Sequence, residues 1–166
     1  CPYAVARRIG RSVERVVSTS LAAAFRSGNG RKTKWQGAVV HSLVQLSVKD
    51  GDTIEITRLE SSPTRAQALK VAADKGSLRA NGVVVSPIAI WTHTSPEQVT
   101  LEVVGRKTRS VDIWNSWSFD GVDSSWLGSA GMIVEATDNV HTVRCSDGLS
   151  EPTFDDLVVK IVIRHG

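Results

Sequence analysis

Val111-Asp-Ile-Trp-Asn-Ser-Trp-Ser-Phe-Asp-Gly-Val-Asp-Ser-Ser-Trp126 opens the stretch that sets the architecture, and the same stretch runs on to Asp156. It begins and ends in a two-residue alternation of apolar and polar side chains, the period of a half-buried β-strand. Between the alternating ends, residues 115–126 are too polar for a core and too aromatic for a plain linker. Three of the chain's five Trp fall in the stretch (Trp114, Trp117 and Trp126), together with Phe119.

The alternation extends outward in both directions. Val99, Leu101 and Val103 alternate with Thr100 and Glu102. Residues 132–136 and 140–145 flank Thr137-Asp-Asn139, a tight hairpin turn. Leu157, Val159, Ile161 and Ile163 share one parity in a final strand. Val83 to Trp91 also reads as a strand, although Pro87 cannot donate to a ladder and so marks an edge or a bulge.

Toward the N-terminus the period lengthens to that of a helix. Val5, Ile9, Val13, Val16, Val17, Leu21, Ala24 and Phe25 recur at three- and four-residue spacing, which predicts an amphipathic helix over 4–26. Arg8, Arg11 and Arg15 lie along its opposite side, and Gly28 is available for a left-handed cap. Thr33 followed by Gln36 resembles a capping box, with Trp35, Val39, Leu43 and Leu46 continuing at helical spacing. A second helix is therefore expected over 31–48, although Val40, Val44, Leu46 and Val48 share strand parity. Lys49-Asp-Gly-Asp52 is a turn and residues 53–59 a strand. Ser62-Pro63 has the form of a helix start and Gly76 of a helix stop, which predicts a structural helix over 62–75.

The expected class is therefore α+β: N-terminal helices followed by an antiparallel β-sandwich or partly open barrel of about six to eight strands. The 166 residues suit a single domain, with a helical basic part (1–50) and a β-rich body (51–166). No apolar run approaches the roughly 18 residues of a membrane span. Two cysteines make no disulfide framework. A soluble chain is expected, with the cytoplasm slightly favoured.

The net charge of +3 is unevenly spread. Residues 1–35 hold eight Lys or Arg and one acid (+7), whereas residues 36–166 hold twelve against sixteen (−4). The basic character belongs to an N-terminal arm, in which Arg8, Arg11, Arg15, Arg31, Lys32 and Lys34 would form a nucleic-acid or anionic-surface contact.

The sharpest chemical constellation is aromatic and acidic. Asp120 and Asp123 lie in the Trp segment, and Asp147, Asp155 and Asp156 lie in and after Ser146-Asp-Gly-Leu-Ser-Glu-Pro152. If both loops meet at one end of a sandwich, the carboxylates would suit calcium, which takes six to eight oxygens. Trp114, Trp117, Phe119 and Trp126 would offer apolar faces to a sugar ring or a protein partner.

Phe154-Asp-Asp-Leu-Val-Val-Lys-Ile-Val-Ile163 resembles the closing strand of calcium-dependent bacterial β-sandwich lectins, where an aromatic and paired acids precede an alternating strand. The fuller run of Asp and Asn that builds that family's metal site is absent here. Nothing in the sequence has the form of a nucleophile elbow, a phosphate loop or a dinucleotide fingerprint. The expectation is a non-catalytic binding module for a carbohydrate, ion or protein partner, with nucleic-acid binding as the alternative; a homo-oligomer is compatible with either.

Overall fold

The computed structural model describes residues 20–149 and 151–166. It corrects the expected α+β class, because one short helix and fourteen strands are found among the described residues. The helix, α1, spans Leu21–Ser27; Ser20 caps it by accepting a hydrogen bond from the Ala23 N–H at 3.2 Å. Gly28 follows it with φ −107°, so the left-handed position falls instead at Gly30, φ +81°. The remainder of the helix expected over 4–26, with Arg8, Arg11 and Arg15, lies outside the described residues.

The helix expected over 31–48 is replaced by strands β1 (Lys32–Trp35), β2 (Ala38–His41) and β3 (Val44–Ser47). Gln36 and Gly37 both take positive φ (+50° and +84°) and turn β1 directly onto β2. Paired positive φ is the geometry of a two-residue hairpin turn and is incompatible with a capping box. Val40, Val44, Leu46 and Val48, which share strand parity, are all buried.

The helix expected over 62–75 is likewise a strand. After β4 (Thr53–Ser61), residues 62–66 form an irregular connection and β5 (Gln67–Ala73) follows. Ala, Leu and Lys are good helix formers, but β5 lies between two other strands and buries Gln67, Ala68, Leu69 and Val71. Burial within a sheet overrides an intrinsic preference of a few tenths of a kcal/mol per residue.

The later strands are β6 (Ser77–Ala80), β7 (Val83–Val85), β8 (Ile88–Trp91), β9 (Gln98–Val104), β10 (Ser110–Phe119), β11 (Val122–Ser124), β12 (Gly131–Thr137), β13 (Val140–Ser146) and β14 (Leu157–Arg164). Pro87 splits the strand expected over 83–91 into β7 and β8, which belong to different sheets.

One sheet has nine strands in the order β1-β2-β12-β13-β14-β4-β9-β6-β7, and the other has five. In the smaller sheet β10 is central. One of its edges pairs with β5 over Val111–Trp117; the other meets β3 at Ser110–Ile113 and β11 at Trp117–Phe119. The two sheets enclose a common core that includes Leu46, Ile54, Leu69, Val71, Leu101, Ile113, Met132, Val143, Leu157 and Ile161. Leu21, Phe25 and Val40 form a smaller cluster beneath α1, against which Trp35, Ile133 and Phe154 pack. Among the described residues no helix is long and apolar enough to cross a membrane.

Burial lowers the pKa of His141 and of His41 below the ordinary 6.5, and the Lys32 charge adds to the effect at His41. The unfolded chain therefore protonates at these sites at higher pH than the folded chain does. The stability they contribute is complete above about pH 6.5 and is lost as pH falls through the window beneath it. The stability difference between wild type and a His41→Gln/His141→Gln variant, measured by denaturant unfolding, should shrink from pH 7.5 to pH 5; a constant difference would contradict the assignment.

Candidate ligand-binding site

The Trp-containing segment is divided by the alternation of β10. Val111, Ile113, Asn115 and Trp117 face inward, and all are buried. Trp117 is only 1% exposed and packs beside Gly148, where a Cβ would come within 2.8 Å of the indole. Trp117 is therefore core and not a ligand-facing side chain. Its indole N–H has no hydrogen-bond partner among the described residues.

Trp114 has the opposite parity and meets Trp126, the ring centroids 5.3 Å apart and the planes 24° from parallel. Trp126 holds φ +58°, an uncommon conformation for a bulky residue. Its indole N–H donates to the Ser42 carbonyl at 2.8 Å. The ring is thus fixed on one face by Trp114 and at its polar edge by the chain after β2, yet it remains 50% exposed.

Trp126 forms one wall of a cavity of about 400 Å³ between α1, the start of β1 and the loop after β2. Ala22, Phe25, Leu43 and Ala130 supply apolar lining. Arg26 and Arg31 stand at its margin, both exposed, and neither forms an ion pair with a described residue. A fixed aromatic face beside two guanidinium groups that pair with no described acid can stack on a flat apolar body and pair with an anion at once. Positive φ at an exposed, doubly anchored Trp is the kind of local strain that accompanies ligand clamps.

The other expected site residues are placed differently. Phe119 is exposed at the end of β10 and does not line the cavity. Asp120 (φ +51°) and Gly121 (φ +75°) form the two-residue turn between β10 and β11, which explains that Asp-Gly pair. Asp123 lies 2.5 Å from the Lys70 ammonium across the sheet surface. Such an exposed pair contributes about 0–1 kcal/mol. Asp123→Ala should accordingly leave the urea midpoint nearly unchanged, and a large loss would reveal a further partner.

Asp147 is fully buried and belongs to an internal polar network. One carboxylate oxygen accepts from Arg65 Nε at 2.9 Å and from Gln67 Nε2 at 3.0 Å, while the other accepts from the Leu149 N–H at 3.1 Å. The Asp147 N–H donates to Asp156 at 2.9 Å, and Asn115 Nδ2 donates to the Ser146 carbonyl at 2.9 Å. Burial pushes the Asp156 carboxyl up, and the Asp147 and Asp155 charges add to that against the Asp147 N–H bond and Arg65. Asp155 accepts from the Thr153 hydroxyl. The two acidic loops expected to converge do not build a metal centre: among the described residues no three His, Cys, Asp or Glu side chains are grouped to hold an ion.

Of the basic residues, Arg31 lines the cavity, and Lys32 and Lys34 are exposed on β1. Sequence reasoning missed Arg26, Ser42, Leu43 and Ala130 as partners of Trp126, and Arg65 and Gln67 as partners of Asp147. Apart from Ala130, four positions from Trp126, each is far from its partner along the chain, and no local pattern marks it. No family model matches this chain, and neither does any curated protein or solved structure.

Proposed function

We propose that this chain is a non-catalytic binding module whose site is the Trp126 cavity, and that its ligand is a small organic anion with a flat apolar body. The observation that carries this reading is the fixed, half-exposed Trp126 ring beside Arg26 and Arg31. The volume of about 400 Å³ falls in the range of small-molecule pockets. A predominantly apolar lining with few polar groups is the usual composition of such sites. The two guanidinium groups favour an anionic ligand over a neutral sugar, because arginine offers donors and no acceptor.

Titration with naphthalenesulfonate, compared with uncharged naphthol, tests the reading. Wild type should prefer the sulfonate. Trp126→Ala should weaken sulfonate binding about tenfold or more, and Arg31→Glu should abolish the preference over naphthol. Affinities unchanged within about twofold in both variants would rule the cavity out as the site.

A further inference from the structure

A second cavity, of about 440 Å³, lies between two unfinished sheet edges. β8 is the terminal strand of the five-stranded sheet and, among the described residues, pairs only with β5. β9 is interior to the nine-stranded sheet, but its two neighbours cover different lengths of it. β4 pairs with Gln98–Glu102, whereas β6 reaches only Glu102–Val104 before the chain turns at Asn81-Gly82. Among the described residues, 98–101 of β9 therefore have a strand on one side and none on the other.

Antiparallel ladders bond alternate residues to alternate sides, so the groups left over can be identified. The Val103 N–H donates to Asp52 and the Arg58 N–H to the Glu97 carbonyl, which assigns residues 97, 99, 101 and 103 to β4. The main-chain groups of Gln98 and Thr100 then point toward the uncovered edge, on the line along which β6 has stopped. On β8, the Thr92 N–H donates to Gln67, which assigns Ile90 and Ile88 to β5 and leaves Ala89 facing outward. Ala89, Gln98 and Thr100 all line this one cavity and all are exposed.

The side chains around them complete a slot. Ile88, Ile90 and Val99 are half-buried and supply an apolar floor, and Asn81, Thr94 and Ser95 supply uncharged polar groups. None of the eleven lining residues is charged. Open edges in native sheets are ordinarily blunted by lysine or other charges, and here that protection is missing where two edges share a cavity.

We propose that this slot binds an extended peptide segment of a partner protein, which adds to β9 along the line of β6 and is uncharged where it enters the cavity. Main-chain bonds to Gln98 and Thr100 supply the affinity, and contacts with Ile88, Ile90 and Val99 select the side chains. The donors and acceptors of Gln98 and Thr100, which no described strand pairs, sit at strand spacing along one line, which an extended backbone matches and a sugar ring does not.

Amide hydrogen exchange on the free protein gives the first test. The N–H groups of Ala89 and Thr100 should exchange rapidly, while those of Ile90, Val99 and Leu101 are slow; equal protection of all five would overturn the proposal. A displayed library of random heptapeptides then serves as the probe. Selected peptides should lack charge at alternate positions and slow exchange at Thr100 on binding. Their affinity should fall at least tenfold in Thr100→Pro, which removes the outward N–H and no bond to β4, and should persist in Thr100→Val. Should Thr100→Pro fail to fold, the protection of Thr100 in the wild-type complex decides alone. Selection of no peptide, or of peptides that leave Thr100 unprotected, would overturn the proposal, as would binding of neutral glycans alone at this cavity.

Discussion

Trp117→Ala should lower the stability of the fold by about 3–5 kcal/mol, the range for truncating a fully buried aromatic side chain. The indole is 1% exposed at the inner face of β10, so its removal leaves a cavity that the neighbouring strands cannot close. Total stabilities of 5–15 kcal/mol are usual, so the variant should melt far below wild type or populate the unfolded state at ambient temperature. Urea unfolding measures the effect directly. The contrast is with Trp126→Ala, whose half-exposed ring should change the midpoint only slightly. A loss under about 1 kcal/mol for Trp117→Ala would show that its burial is misassigned.

Asp147→Ala should cost about 2–4 kcal/mol. The substitution strips the buried Gln67 amide of its acceptor and leaves the Arg65 guanidinium without its counter-charge. The lower part of the range for a broken buried pair applies, because the Arg65 side chain is 26% exposed and water can partly replace the carboxylate. Asp147→Asn retains one carbonyl acceptor and should recover part of the loss. Equal, negligible effects of both substitutions in denaturant unfolding would mean that the network does not hold the connection between β13 and β14.

What the sequence made legible was the set of strands with one wet face. β9, β10, β13 and β14 carry period-two alternation because one parity faces the common core and the other faces outward. β5 hid because its position between β10 and β8 buries residues of both parities, and Gln-Ala-Leu-Lys-Val-Ala-Ala then matches a helical stripe as well as a strand. β1 and β2 hid because four-residue strands are too short to fix a period. The decisive signal there was Gly37, which tolerates the positive φ of a hairpin turn.

The site was legible in part for the same reason. Alternation within β10 already separates Trp114 from Trp117, and the latter shares parity with Val111 and Ile113. Read strictly, that parity places Trp117 in the core. The partners of Trp126 could not be read, since Ser42 lies 84 positions away and α1 is brought near only by the fold. Asp147 and Asp156 looked like metal ligands because both are carboxylates beside a turn. A partly buried guanidinium-and-amide network produces the same composition, and no local spacing distinguishes the two.

The most direct test of the central claim is a naphthalenesulfonate titration followed by residue-resolved NMR. The Trp126 indole N–H, held at 2.8 Å from the Ser42 carbonyl, is the natural reporter. It should shift together with the amides of Ala22, Phe25, Arg31 and Leu43, with one saturating curve for all. Shifts confined to other surfaces, with the Trp126 indole unmoved at saturation, would contradict the assignment of this cavity as the binding site.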